Sequence, residues 1–256
     1  MKLSIAAATY NEEANIKDFI LNCQNIATEI IVVDGSSTDK TATIARQLGA
    51  KIYQTTNKPI FHLNKQMAIN KAKSPWILQL DADERLSPEL KKEILTIIKD
   101  KKSKEAYCLP RKNFFLGKFL KKGGQYPDYK IRLFKKNKAY LPCKSIHEDM
   151  IVKGKIGYLK NDLLHFTAPT FSRYLQNSSR YTDLTAQEYL SKNLKVNIPS
   201  FLNYLFFKPL SLFIKIYLRH KGYQDGFPGF VFALFSALHI PIAYIKFWEI
   251  KEKQKK

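Results

Sequence analysis

The first hundred residues alternate short apolar runs with segments of helical spacing, and this alternation constrains the fold more than any other feature. The apolar runs 3–8, 29–33 and 76–80 are typical of buried strands, and residues 15–25 and 63–73 repeat their apolar positions at helical spacing. Strands that alternate with helices form a mainly parallel sheet with both faces covered. The sequence therefore predicts an α/β fold.

Polar residues follow three of these predicted strands, at Thr9–Glu13, Asp34–Ser37 and Asp81–Glu84. Because ligands of such sheets bind beyond the carboxyl ends of the strands, we expect these residues on one rim. The chain has no Gly-x-Gly-x-x-Gly after its first strand and no Gly-x-x-x-x-Gly-Lys-Ser/Thr. The sequence thus disfavours a dinucleotide oxidoreductase or a P-loop nucleotidase.

Asp81 and Asp83 lie two residues apart, directly after the apolar strand. Residues at this spacing in an extended segment point to the same side. Paired carboxylates suit Mg²⁺ or Mn²⁺ shared with substrate phosphates. The alternative is a solvated turn in which Glu84 caps the following helix. The other polar strand ends favour the cation site.

Residues 3–99 resemble the nucleotide-sugar half of family 2 glycosyltransferases, which have the GT-A fold. The resemblance rests on the order and spacing of Ser4–Glu13, Ile31–Asp39 and Trp76–Glu84. It implies a set of nucleotide-sugar-binding residues: Thr9, Tyr10, Glu12, Asp34, Lys65 and Asp81. In that set, Asp34 would accept hydrogen bonds from the base.

Later segments resemble a subgroup that elongates the inner core of lipopolysaccharide or lipooligosaccharide. These segments are Tyr126–Phe134, Ile146–Asp149, Leu164–Phe166, Arg180–Thr182 and Lys221–Phe230. The resemblance therefore extends over nearly the whole chain.

The family's chemistry implies a single in-line displacement with inversion at the anomeric carbon. A cation held by Asp83, with Asp81 beside it, would offset the charge of the leaving diphosphate. The acceptor hydroxyl needs a base, which we assign to Glu148 or Asp149. The subgroup's His-Glu pattern favours Glu148. The alternative is that this pair caps a helix or faces solvent.

Three further residues are candidates for contacts in the site. Arg132 would meet a phosphate of the donor or acceptor, or else form a surface ion pair of little energetic worth. His147 and His165 would orient neighbouring groups, and His147 would contact the acceptor or a phosphate. The alternative for both is an ordinary hydrogen-bonded histidine.

Charge is distributed unevenly along this chain of net charge +21. Residues 1–100 carry +1, residues 101–194 carry +13 and residues 195–256 carry +7. Such an excess predicts a polyanionic partner, although a general lysine bias would also produce it. A nucleic-acid-binding protein is the non-enzyme alternative, but no RNA-binding signature is present.

The last sixty residues have a different character. Residues 208–221 mix apolar and basic side chains, as in a helix lying in a lipid headgroup layer. Residues 227–245 carry no charge but contain Pro228 and Pro241, which interrupt the run. We expect an in-plane or re-entrant helical hairpin rather than a spanning helix. The alternative is a helical subdomain packed on the catalytic core.

These observations predict a GT-A domain at 1–195, divided into a nucleotide-sugar half (1–100) and an acceptor half (101–195), and a helical membrane-associating extension at 196–256. The three cysteines form no Cys-x-x-Cys, which suits a reducing compartment. The apolar run at 3–8 is too short for a secretory signal. We expect a cytoplasmic protein, peripheral on the inner face of the cell membrane.

The predicted activity is inverting transfer of a hexose such as glucose to a lipid-linked, anionic glycan such as the lipopolysaccharide core. The expected donor is a UDP-sugar, with Mg²⁺ or Mn²⁺ as cofactor. Polyprenyl phosphate or another envelope polysaccharide is the alternative acceptor. A membrane-associated scaffold with a degenerate transferase domain remains a third class, which the intact Asp81 and Asp83 disfavour.

Overall fold

A computed structural model describes residues 2–58, 60–144, 148–168 and 170–254. Its strands are β1 (Leu3–Thr9), β2 (Glu29–Asp34), β3 (Lys51–Gln54), β4 (Trp76–Gln79), β5 (Glu84–Leu86), β6 (Ala106–Phe115), β7 (Lys118–Phe119), β8 (Asp128–Lys135), β9 (Ala139–Tyr140), β10 (Ile151–Val152), β11 (Ile156–Tyr158) and β12 (Leu163–Ala168). Its helices are α1 (Glu13–Gln24), α2 (Thr41–Gln47), α3 (His62–Lys71), α4 (Pro88–Lys99), α5 (Phe171–Ser191), α6 (Ile198–Arg219) and α7 (Gly226–Lys253).

The main sheet has the order β3-β2-β1-β4-β8-β6-β12-β5. The strands β3, β2, β1 and β4 are parallel to one another, whereas β8 pairs antiparallel with both β4 and β6. The predicted α/β class and its parallel N-terminal sheet are confirmed. Beyond β4 the sheet continues with β8, β6, β12 and β5.

The strands of the parallel part are apolar because helices cover both faces. The side chains of Ile31, Val32 and Val33 in β2 are fully buried. In α1, Phe19 and Ile20 lie on the face that packs into the core. Each such side chain contributes about 1.5–3 kcal/mol through burial, so together they hold the carboxyl ends of β1, β2 and β4 in fixed register.

The start of helix α4 and its buried face follow from the local sequence. Its N-cap is Ser87, whose hydroxyl accepts the Leu90 N–H at 3.1 Å, and Pro88 occupies the first turn, where no N–H is needed. Its buried residues Leu90, Ile94 and Ile98 follow a four-residue spacing. Glu84, the alternative cap, lies instead in β5.

Two compact units divide the chain. The first comprises Met1–Arg111 and Asp128–His165, and the second comprises Lys112–Pro127 and Phe166–Lys256. The predicted boundary at residue 195 differs from this division, because α5 packs against α7 within the second unit.

The second unit is built on three long helices. The aromatic rings of Phe171 and Tyr174 in α5 contact Phe235 in α7. Pro241 lies inside α7 without ending the helix, and Pro228 lies in its first turn, so these prolines do not divide the apolar run as we expected. Helix α6 contains two π-helical turns, Asn203–Phe207 and Lys215–Arg219.

Candidate functional site

The first part of the candidate site is formed where β1 and β2 end side by side. Thr9 and Asp34 are partners in the parallel register, and the Thr9 hydroxyl donates to Asp34 Oδ1 at 3.2 Å. The same carboxylate accepts the Ser37 backbone N–H at 2.9 Å and the Ser37 hydroxyl at 2.6 Å. Asp34 is fully buried, and its described hydrogen bonds join the end of β1 to the loop that carries Ser37. Its predicted contact with a base stays a prediction.

The loops above these strand ends are tied to each other. The Asn11 N–H donates to the Ser37 hydroxyl at 2.9 Å, and the Glu12 N–H donates to the Thr41 hydroxyl at 2.8 Å. Glu12 also accepts the Asn15 side-chain amide at 2.7 Å. The ring of Tyr10 is more than a third exposed at this edge. The rim thus offers an accessible ring on a loop fixed by hydrogen bonds.

The second part of the site is the acidic turn, residues 81–83, between β4 and β5. Asp81 Oδ1 lies 2.6 Å from Lys65 Nζ, and Asp81 Oδ2 accepts from Arg132 Nη2 at 2.9 Å. Burial alone would raise the pKa of Asp81, but the charges of Lys65 and Arg132 hold that pKa well below its usual range. Asp81 is therefore a carboxylate with a cation on each oxygen.

Arg132 lies beneath this turn, where its side chain is only 8% exposed. Its guanidinium donates to Glu84 Oε1 at 2.6 Å and also to Gln79 Oε1. The second Glu84 oxygen accepts the Asp81 N–H at 3.0 Å. The pKa of Arg132 is raised because Glu84 and Asp81 outweigh its burial, so the buried group remains charged. The described contacts place Arg132 among carboxylates, and its predicted phosphate contact stays untested.

Asp83 is paired with a residue from a distant strand. Its Oδ2 lies 3.4 Å from Nε2 of His165 in β12. The Asp83 side chain is partly exposed, whereas His165 is buried. Burial alone would raise the pKa of Asp83, but His165 lowers it below the usual value. An oxygen and a nitrogen donor thus lie together beside the acidic turn.

The chemistry of this donor set fits a divalent cation shared with a substrate. Within the described ranges, no group of three His, Cys, Asp or Glu side chains is arranged to hold a metal. Mg²⁺ and Mn²⁺ sites commonly take one or two protein ligands and complete their coordination with substrate phosphates. Asp83 and His165 can supply those ligands, whereas both oxygens of Asp81 already face cations.

The candidate bases lie on the loop before β10. Glu148 is half-buried, and its Oε1 accepts the Lys144 N–H at 2.7 Å, whereas Asp149 is exposed. Burial raises the pKa of Cys108 in β6, and the negative charge of Asp149 adds to that rise. His147 lies outside the described residues.

The residues that support the acidic turn from below were not predicted from the sequence. Gln79, Glu84 and Arg111 join the network around Arg132, with Arg111 Nη1 at 3.7 Å from Glu84 Oε1. Arg85 donates to the carbonyl oxygens of Ala82 and Asn15 at 2.6 and 2.9 Å. Two features of the sequence could have indicated these residues. Gln79 is a polar residue inside an apolar strand, and Glu84 is a carboxylate directly after Asp81 and Asp83.

Comparisons with known proteins identify the family of the chain. The family model described as "Glycosyl transferase family 2" matches residues 4–163, which is more than half of the chain. The chain belongs to glycosyltransferase family 2. The lipopolysaccharide core biosynthesis glycosyltransferase LpsC of Rhizobium meliloti is 24% identical over 97% of this chain and 93% of LpsC.

Two solved structures show the same fold. The mannosyltransferase PcManGT from Pyrobaculum calidifontis, in complex with GDP-Man and Mn²⁺, has a TM-score of 0.57 at 13% identity and covers 96% of this chain and 87% of its own. Staphylococcus aureus TarS 1-349 in complex with UDP-GlcNAc has a TM-score of 0.50 at 15% identity, with 94% and 82% covered. The GT-A assignment is therefore confirmed.

Proposed function

We propose that this enzyme transfers a hexose, such as glucose, from a UDP-sugar to a lipid-linked anionic glycan such as the lipopolysaccharide core, with inversion. The proposal depends chiefly on the acidic turn, which occurs together with the Thr9–Asp34 contact in a chain of glycosyltransferase family 2. LpsC, similar over nearly its full length, acts in lipopolysaccharide core biosynthesis, and this supports the acceptor class. TarS 1-349 was solved with UDP-GlcNAc, which supports the donor class.

The donor would lie along the rim. We assign Thr9, Tyr10 and Glu12 to the nucleoside side, with Asp34 fixing the loop that carries Ser37. Lys65, which lies 2.6 Å from Asp81, would also approach the diphosphate because its charge is only partly neutralised by one shared carboxylate.

Asp83, with His165 beside it, would hold a Mg²⁺ or Mn²⁺ ion. The complex of PcManGT contains Mn²⁺, which supports a divalent cation. When bound, such a cation offsets negative charge that develops on the leaving diphosphate. Arg132 acts in this proposal as a positioning residue: it ties Asp81 to Glu84 and so fixes the turn that aims Asp83.

The acceptor hydroxyl would lose its proton to Glu148, or to Asp149 if the loop presents that residue instead. Both carboxylates belong to the first unit, as does the acidic turn. The excess of basic residues in 101–194 would attract a phosphorylated acceptor. Polyprenyl phosphate carries the same kind of charge and is the second acceptor to test.

The second unit supports a peripheral position on the inner face of the cell membrane. Both Ile198–Arg219 and the segment Gly222–Lys253 are long and apolar enough to cross a membrane by length and composition. Only 6% of the apolar window of the first is buried within the protein, against 33% of the second. We favour helices lying in the headgroup layer, because basic residues recur along α6 and follow the apolar part of α7.

Donor screening tests the proposal. Purified enzyme is incubated with several UDP- and GDP-sugars and a lipooligosaccharide or polyprenyl phosphate acceptor, with Mn²⁺ or with EDTA. We expect transfer from one UDP-hexose to the glycan, with β/α inversion read by NMR of the product. Transfer to polyprenyl phosphate alone would replace the acceptor assignment, and tight RNA binding without transfer would replace the enzyme assignment.

Asp83→Ala is the matched test of the cation site. We expect this variant to lose at least about 100-fold in turnover while its thermal unfolding stays near wild type. Asp100→Ala, which changes an exposed carboxylate at the end of α4, should retain full activity. Wild-type activity that persists in EDTA would rule out the cation.

A further inference from the structure

The second unit contains an apolar pocket between the start of α6 and the last part of α7. Its volume is about 400 Å³. Val196, Ile198 and Phe201 line one side, and Ile245 and Trp248 line the other. The one amide in the lining, Asn197, is used as the N-cap of α6, where its side-chain oxygen accepts the Ser200 N–H at 3.0 Å.

The lining of this pocket is exposed in the described chain. Ile198 is 76% exposed, Ile245 is 55% exposed and Trp248 is 47% exposed. Large apolar side chains that share one concave surface are poorly solvated, and such surfaces mark binding sites. The pocket has little to offer water, because a buried water needs two to four polar partners.

The size of the pocket suits a single aliphatic chain. A methylene group fills about as much space as a water molecule, roughly 30 Å³, so the pocket accommodates about a dozen carbons. Burying them would contribute about 0.8 kcal/mol for each methylene group. A globular partner would instead need a broad, flat contact surface.

The positive charge of the chain around the pocket favours an anionic occupant. Residues 195–256 carry a net charge of +7. Lys195 directly precedes the lining residue Val196, and Lys251 follows Trp248 by one helical turn. A second copy of this chain would bring the same positive charge to the pocket, whereas an anionic lipid headgroup would be attracted.

The exposed apolar surface continues along the chain from the pocket into the rest of α6. Phe206, Phe207 and Leu210 of α6 are each more than half exposed, and so is Phe227 at the start of α7. These side chains belong to the same compact unit as the pocket. A lipid bilayer is the environment in which all of them would be covered at once.

We propose that this pocket binds one acyl chain of an anionic membrane phospholipid. The proposal rests on the peripheral membrane position proposed above and adds to it a discrete site. The chain lies between α6 and α7, and the headgroup lies near Lys195 and Lys251. The site would hold the enzyme at the membrane in one orientation, because a chain bound in a pocket fixes rotation as well as depth.

Trp248 makes the site directly measurable. The other tryptophan, Trp76, is 3% exposed in the core of the first unit. In the full-length Trp76→Phe variant, Trp248 is the single remaining tryptophan. The probe is a short-chain phosphatidylglycerol with brominated acyl chains, used as a monomer below its micelle concentration. We expect quenching of Trp248 that saturates at one lipid per chain and is reversed by the unbrominated lipid.

A matched pair of variants separates the pocket from the rest of the helix. Ile245→Lys puts a charge into the pocket, and Ile242→Lys makes the same change at an exposed position of α7 outside the lining. We expect the first to weaken saturable quenching at least 10-fold and the second to leave it within about 2-fold. Equal effects of the two variants would overturn the proposal.

The remaining outcomes are equally decisive. Absence of saturable quenching in the Trp76→Phe protein overturns the pocket, even if the protein still sediments with vesicles, in which case the peripheral position stands without it. A chain that dimerises in analytical ultracentrifugation, with Trp248 shielded and unquenched, assigns the pocket to a second copy. Saturable quenching by an enzyme that transfers no sugar upholds the pocket and refutes the transferase proposal instead.

Discussion

At the scale of single residues, Asp83 of the acidic turn is accessible to solvent, whereas the residues that support the turn are buried. Asp83 is partly exposed, whereas His165 and Arg132 are buried and Glu84 is fully buried. A buried charge is stable only when it is paired and hydrogen-bonded. The support beneath the acidic turn is therefore sensitive to any change that leaves one partner alone.

Arg132→Met should destabilise the protein by about 3 kcal/mol, because the buried Glu84 would lose its hydrogen-bonded cation and keep only the more distant Arg111. Adding Glu84→Gln should recover part of that loss, which thermal unfolding of both variants will show. Transfer by the double variant should stay low, with kcat reduced and the donor KM changed less than about 3-fold. A donor KM that rises as much as kcat falls would favour a phosphate contact instead.

Glu148→Gln should lower kcat by roughly 10²–10⁴-fold, as expected when a general base is removed. Asp149→Asn is the matched change on the neighbouring residue and should cost less than about 10-fold. Both should retain nucleotide binding, measured by calorimetry with UDP. Wild-type turnover by both variants would place the base elsewhere on the chain.

At the scale of elements, one carboxylate joins the amino ends of several strands. Glu29 at the start of β2 accepts from the Ser4 hydroxyl in β1 at 2.6 Å, from the Lys73 N–H at 2.7 Å and from Lys51 in β3 at 2.8 Å. Burial alone would raise the pKa of Glu29, but these donors lower it from 4.5 to about 2. The ionised form is therefore favoured by folding.

Glu29→Gln should reduce the free energy of unfolding at pH 7 by about 1–2 kcal/mol. Because the folded-state pKa is depressed, the wild-type advantage is fully present above pH 4.5 and is lost as the pH falls toward 2. Urea unfolding of both proteins at several pH values measures this difference. Glu89→Gln, an exposed change in α4, should show little of it, and a Glu29 effect independent of pH would contradict the argument.

At the scale of the whole molecule, the proposed membrane position depends on the second unit. Full-length protein should sediment with anionic vesicles more than with neutral ones, and moderate salt should weaken binding without abolishing it. Phe207→Glu, which charges an exposed ring of α6, should reduce binding several-fold. Leu21→Glu makes the same change on an exposed position of α1 and should not. Binding that resists alkaline carbonate would instead indicate a spanning helix.

For the first hundred residues, the sequence by itself determined the parallel strands, the helices between them and the edge at which polar residues gather. It could do so because strand and helix periodicities are local, and because parallel strands bring their carboxyl ends to one rim. Thr9 and Asp34 were expected together and lie in hydrogen-bond contact. The acidic pair was likewise recognisable, since Asp81 and Asp83 directly follow an apolar strand.

Only the tertiary structure decided what surrounds those residues. His165 reaches Asp83 because β12 pairs antiparallel with β5, and Arg132 reaches Asp81 because β8 pairs with β4. These two contacts join residues 82 and 51 positions apart in the chain, and no local pattern encodes such pairing. The apolar pocket between α6 and α7 is likewise a product of packing. Local sequence fixes which faces are apolar, but the fold decides which of those faces are left uncovered.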